Sequence, residues 1–222
     1  ADRIRGLYEH AFARQPTEAE TRMGLQFVNT DAASSTLATD TGPAWQYGYG
    51  RYDQADQRIK NFTPFPRFTG ASWQGGKVLP DPRLAYCSLN PQGGHTGRDQ
   101  DHAAIRRWTA PRSGVITLSG TLAHGSAAGD GVRGRIVSSR TGELASLTVQ
   151  NKSAQTQLDS IEVQAGDTLD FIVDCRSSDN SDSFTWRVNL KTKNIPDAAG
   201  GEDTLEWDSQ KDFAGPDTRP HA

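Results

Sequence analysis

Gly93-Gly-His-Thr-Gly-Arg-Asp-Gln-Asp-His102 gathers more reactive side chains than any other stretch of the chain. His95, Arg98, Asp99, Asp101 and His102 crowd into it, with Arg106 and Arg107 just beyond. An imidazole beside a carboxylate suits acid–base work or metal ligation. Carboxylates and a guanidinium equally suit bidentate hydrogen bonds to sugar hydroxyls. The structural alternative is a loop whose aspartates pair with Arg106 and Arg107 and whose histidines cap a turn. The Gly93-Gly94 pair allows close backbone approach under any of these readings.

Aromatic residues flank this loop in sequence. Trp73 lies among Gly and Ser, and Trp45, Tyr47 and Tyr49 alternate at strand spacing. Such rings are candidate stacking platforms for sugar faces, because a large amphipathic ring gives contact area at low entropic cost. The alternative is core packing, which is the expectation for Trp108 and Trp186. Asp174, Asp179 and Asp182 form an oxygen-rich cluster of the kind calcium uses, without the full EF-hand pattern. The competing reading is a solvated polar turn. His124, near Asp130, is a weaker candidate for the same surface. No GxSxG elbow, HExxH, P-loop or GxGxxG is present, and no cofactor is required; Ca2+ is the one candidate ion.

These groups need elements to position them. From Ala104 onward, short apolar-alternating runs recur: 104–108, 114–123, 131–138, 144–150, 157–163, 168–174 and 183–191. Turn chemistry separates them, as in Pro111-Arg-Ser-Gly114, Gly129-Asp-Gly131, Arg140-Thr-Gly142 and Ala165-Gly-Asp167. Adding Trp45–Tyr52, a short strand around Trp73 and a strand over 84–89 gives about ten strands. The expected fold is an antiparallel β-sandwich, jelly-roll-like, preceded by a short N-terminal αα-hairpin. Ile4, Leu7, Tyr8, Ala11 and Phe12 trace one helical stripe, and Thr17 with Glu20 reads as a capping box for a second helix. The expected organisation is the hairpin over 1–29, a Ser/Thr/Ala-rich linker over 30–44, the sandwich over 45–194 and an extended tail over 195–222. Trp207 is expected to dock that tail on folded structure.

The 222 residues suffice for one sizeable domain with an appendage. A net charge of -3 with no basic stripe argues against nucleic acid. No apolar run approaches the roughly 20 residues that span a bilayer. The only Met is Met23, and residue 1 enters a helical pattern directly; the expectation is a piece of a longer precursor. Cys87 and Cys175 both sit in apolar strand-like contexts. They read as buried free thiols or, alternatively, as a disulfide of an oxidising compartment.

The segments Arg5-Gly-Leu-Tyr8, Phe12-Ala-Arg-Gln-Pro-Thr-Glu-Ala-Glu20, Trp45-Gln-Tyr-Gly-Tyr-Gly50 and Phe68-Thr-Gly-Ala-Ser-Trp-Gln-Gly75 carry a family resemblance, as do Gly93-Gly-His95, His102-Ala-Ala-Ile-Arg-Arg-Trp108 and Gly129-Asp-Gly-Val132. Together they resemble the C-terminal region of large secreted planctomycete proteins, an uncharacterised family that also carries a cytochrome-c-like domain. The β-region is similar in style to carbohydrate-binding modules. The resemblance implies a glycan partner, upstream domains of the same precursor, and an extracellular or periplasmic location. The expected function is non-catalytic polysaccharide binding through Trp73, His95, Arg98, Asp99, Asp101, His102 and Arg107. The alternatives are a structural domain that positions its upstream neighbour, and a polysaccharide hydrolase using Asp99, Asp101 or His102.

Overall fold

The computed structural model describes residues 14–21 except Ala19, residues 44–193 and residues 204–216. The chain divides into two compact units, 1–41 and 42–222. In the first, Glu20 N donates to Thr17 Oγ1 at 3.2 Å, and Thr17 N donates to Glu20 Oε2 at 2.8 Å. These are the reciprocal bonds of a capping box. The rest of the expected αα-hairpin and the linker up to Pro43 lie outside the described residues.

The second unit is built of strands. In chain order they are β1 (Trp45–Asp53), β2 (Arg58–Pro64), β3 (Arg67–Phe68), β4 (Trp73–Gln74), β5 (Ser88–Leu89), β6 (Gly93–His95), β7 (Ala103–Thr109), β8 (Gly114–His124), β9 (Val132–Ser138), β10 (Gly142–Val149), β11 (Lys152–Val163), β12 (Thr168–Asp174), β13 (Ser183–Thr192) and β14 (Glu206–Asp208). A short 3-10 turn, Gln100–His102, precedes β7. One sheet runs β10-β9-β12-β7-β1-β2. The other runs β11-β8-β13-β6-β5-β4-β3, with β14 also paired to β13. The pairings are antiparallel, and the two sheets face each other across a shared apolar core.

Alternation explains the second sheet. In β13, Phe184, Trp186, Val188 and Leu190 are buried while Ser183, Thr185, Arg187 and Lys191 are exposed. In β8, Ile116, Leu118 and Leu122 point inward and Ser119 and Thr121 outward. Period-two burial of this kind is what a sheet with one wet face requires. The first sheet differs. Leu169, Phe171 and Val173 of β12 enter the main core, while Ile172 joins Ile105, Ala103 and Val137 in a second apolar cluster. That cluster is flanked by Tyr52, Ile59 and Phe62 and roofed by arginines. Arg107 lies 4.2 Å over the Phe62 ring and Arg135 lies 4.3 Å over Tyr52. The central strands are therefore buried on both faces.

The strands expected from Ala104 onward are all present, and β11 begins earlier, at Lys152 paired with His124. The strand expected over 84–89 shrinks to Ser88–Leu89. Asp81 Oδ1 accepts from the amides of Arg83 and Leu84, both at 2.9 Å, and turns the chain there; Ala85 follows at φ 54. Trp207 docks on the sandwich, edge-on to Trp108 at 5.0 Å; residues 195–203 and 217–222 of the expected tail lie outside the described residues. Among the described residues no helix is long and apolar enough to cross a membrane.

Candidate functional site

The 93–102 loop spends its polar groups on itself and its neighbours. Asp99 caps the 3-10 turn: its Oδ1 accepts from Asp101 N at 3.0 Å and lies 2.6 Å from His102 Nδ1. The His102 ring stacks on Tyr49, with centroids 6.0 Å apart. Asp101 pairs with Arg51 at 3.4 Å. Arg98 donates to the Pro82 carbonyl at 2.5 Å. His95 Nδ1 lies 2.9 Å from the Thr96 carbonyl, and its ring tilts against Tyr86 at 5.3 Å. The two glycines serve strand packing. A Cβ on Gly93 would stand 2.1 Å from the Phe184 carbonyl oxygen, and one on Gly94 2.0 Å from that of Ser88. Only a residue without a side chain lets three backbones lie this close.

Trp73 and Arg107 do not meet in one site, although Trp73 pairs with Leu89 and Leu89 with Gly94 at the start of this loop. Trp73 belongs to the second sheet and Arg107 to the first. The Trp73 indole stacks on Tyr47 at 6.1 Å, contacts Phe68 at 5.2 Å and donates Nε1–H to the Ala214 carbonyl at 2.8 Å. It sits under the C-terminal tail beside a crevice of about 200 Å3 that Trp45, Tyr47 and Phe65 also line. Arg107 closes on Asp170 with bonds of 2.7 and 2.8 Å. Its neighbour Arg106 points the other way, into the core, and donates to the Asn90 carbonyl at 2.7 Å.

The three aspartates of the expected calcium cluster lie near enough to act on one another electrostatically but differ in their partners. Asp174 is buried against Arg133, at 3.1 Å, and Arg135. Two guanidiniums pair with it. Asp179 is half-buried. Asp182 is fully buried and accepts from Thr96 Oγ1 at 3.2 Å. Among the described residues no three His, Cys, Asp or Glu side chains form a group that could hold a metal ion.

A different surface gathers polar groups with room between them. The outer face of β11, β8 and β13 bears an open groove of about 500 Å3. Sheet register builds it. Gln155 and Arg187 both pair with Thr121, and Gln157 and Asn189 both pair with Ser119. The result is two parallel rows, Gln155–Thr121–Arg187 and Gln157–Ser119–Asn189. Strands lie about 4.8 Å apart and alternate residues on one strand just under 7 Å apart, so the grid is roughly 10 by 7 Å. Its floor is close-packed: Gly120 leaves space that a Cβ would fill at 2.6 Å from the Arg187 carbonyl oxygen, and Thr156 lies buried beside it.

The tail strand holds one edge of the grid. Arg187 Nε lies 3.1 Å from Asp208 Oδ2, and its Nη2 bonds the same oxygen. Asn189 Nδ2 donates to Glu206 Oε1 at 2.5 Å, which leaves its Oδ1 buried without a partner. On the opposite edge Gln157 Nε2 donates to Asp159 Oδ1 at 3.0 Å. None of these groove residues stands out in the sequence. Outward polar positions on a half-buried strand are what any wet sheet face shows, and only the pairing reveals that the six converge.

The chain matches no family model, no curated protein and no solved structure. What the protein does is therefore read from the chemistry of its own surfaces.

Proposed function

We propose that this chain is a non-catalytic carbohydrate-binding module of a larger extracellular protein, holding its glycan in the groove across β11, β8 and β13. The observation that carries this reading is the pair of cross-strand rows in an open space of about 500 Å3. That size falls within the roughly 300–1,000 Å3 of ordinary ligand sites. Its lining is amide, hydroxyl and guanidinium rather than the mainly apolar wall of most small-molecule pockets.

Sugars present adjacent hydroxyls, each both donor and acceptor. Gln155 and Gln157 offer an acceptor oxygen and a donor nitrogen in one plane, Ser119 and Thr121 offer rotatable hydroxyls, and Arg187 offers a fixed fork of donors. Each bond replaces one to water, so each contributes only about 0.5–1.5 kcal/mol. Useful affinity then needs several at once, which a rigid sheet supplies by fixing all six positions before the ligand arrives. The groove lacks an aromatic lining residue, so binding relies on polar contacts along a chain of sugars. The resemblance to secreted multidomain proteins supports an extracellular setting.

Affinity electrophoresis through gels containing soluble polysaccharides tests the reading. The Gln155→Ala/Gln157→Ala double variant alters exposed positions only, so it folds normally and loses retention. Retention unchanged in that variant removes the groove from consideration. The internal bonding of the 93–102 loop favours a second reading, a structural domain without ligand. Absence of retention across a broad panel would select it.

A further inference from the structure

Resting on that reading of the groove, we infer that its ligand is a neutral polysaccharide and that the tail strand β14 sets this choice. Arg187 is the only charged residue among those lining the groove. Its charge is already answered. Asp208 is buried and accepts from Arg187 and from the amides of Gln210 and Lys211 at 2.9 and 3.1 Å. Despite opposing burial, those hydrogen bonds hold the Asp208 carboxyl down at about 2, so it stays ionised at any working pH. The guanidinium thus meets a ligand as a hydrogen-bond fork with little net charge.

The rim adds to this. Asp159 stands beside Gln157, and Glu206 beside both Asn189 and Lys191, the latter at 3.3 Å. Asp159, Glu206 and Asp208 stand against Arg187, Lys191 and Lys211, whose charge also acts on Glu206, so the rim carries no net positive charge. A polyuronate or a sulfated chain would find its natural counter-charge already taken by Asp208. A neutral chain meets donors and acceptors at no such cost. β14 therefore does two things: Asp208 and Glu206 orient Arg187 and Asn189 before binding, sparing the entropy of ordering them, and they cancel the groove's positive charge.

The test compares neutral polysaccharides (glucans, mannans, xylans, galactans) with polyuronate and sulfated galactan, using affinity electrophoresis at low and physiological salt. The wild-type protein is expected to be retained by a neutral polysaccharide equally at both salts, and not by the anionic ones. Asp208→Asn and, independently, the exposed Glu206→Gln are each expected to gain several-fold retention by polyuronate at low salt, lost at physiological salt. Thermal unfolding of both variants confirms that they are folded. Wild-type retention by an anionic chain, or retention that falls with salt, overturns the neutral-ligand inference but leaves a glycan groove. Neutral retention with no anionic gain in either folded variant overturns the role of β14. No retention of any polysaccharide by the wild type overturns the groove reading itself, and this inference with it.

Discussion

His124 and Asp182 lie side by side inside the sandwich without sharing a proton. His124 Nε2 stands 3.9 Å from Asp182 Oδ1, and both side chains are fully buried. The ring's two nitrogens are committed elsewhere. Nδ1 accepts from the Asn151 amide at 3.3 Å, so Nε2 carries the proton, and it lies 2.9 Å from the Ser181 carbonyl. Asp182 Oδ1 has no hydrogen-bond partner.

That geometry gives the protein a pH-dependent stability. Burial, reinforced by the carboxylates of Asp130, Asp179 and Asp174 and opposed by the bond from Thr96, pushes the Asp182 carboxyl up to about 7. A carboxyl raised in the folded state binds its proton more tightly there than in the unfolded chain. Its contribution is complete below the ordinary carboxylate range near 4 and disappears as pH rises through about 7. The melting temperature should fall as pH rises from about 4 to about 7 and level off above that. Asp182→Asn, which keeps the shape and removes the titration, should flatten that fall. An equal slope in the variant would assign it to another group.

Arg107 is predicted to matter for stability and not for ligand binding. It pairs with Asp170 and covers Phe62 on the outer face of the first sheet, whereas the groove lies on the second. Arg107→Ala would leave the Asp170 carboxylate buried and unpaired, at a cost on the order of 3 kcal/mol. Urea denaturation should register that loss while polysaccharide retention in native gels stays at the wild-type level. A change in retention with stability intact would return Arg107 to the binding surface.

The two thiols are predicted to be inert. Cys87 and Cys175 are free and buried, and burial pushes both upward, Cys175 to about 12. The thiolate is the reactive form. Neither should react with a thiol reagent on the timescale of minutes until denaturant is added, and a reductant should leave the melting temperature unchanged. A melting temperature lowered by reductant would point to a disulfide instead.

Much of the sandwich is legible in the sequence because β8 and β13 alternate cleanly and Gly/Asp turns punctuate them. The docking of Trp207 is legible too, since a large aromatic in a polar tail needs a partner. The proposed binding surface is a different matter. The 93–102 loop draws the eye by its density of His, Asp and Arg, but Asp99 caps its own turn and Gly93-Gly94 makes room for neighbouring backbones. Arg106 and Arg107 are adjacent in sequence and end on opposite faces of β7. Gln155, Thr121 and Arg187 are remote from one another in the chain and become neighbours only through register. Composition shows which groups exist; pairing decides which of them meet.

Trp73 separates a packing role from a ligand-stacking role most sharply. One face of its indole is taken by Tyr47, Phe68 contacts it, and its N–H is bound to Ala214, so the ring pins the tail segment 213–216 to the sandwich. Phe213 adds to the same cluster at 4.6 Å from Tyr47. Trp73→Ala should therefore cost about 3 kcal/mol, the range of large aromatic truncations in packed sites. It should also free the tail, which limited proteolysis would show as early cleavage after Lys211. Trp73→Phe should keep most of the packing and lose only the bond to Ala214. If Trp73→Ala instead keeps its melting temperature and its protease resistance but loses polysaccharide retention, the ring stacks on the ligand and the binding surface extends beyond the groove.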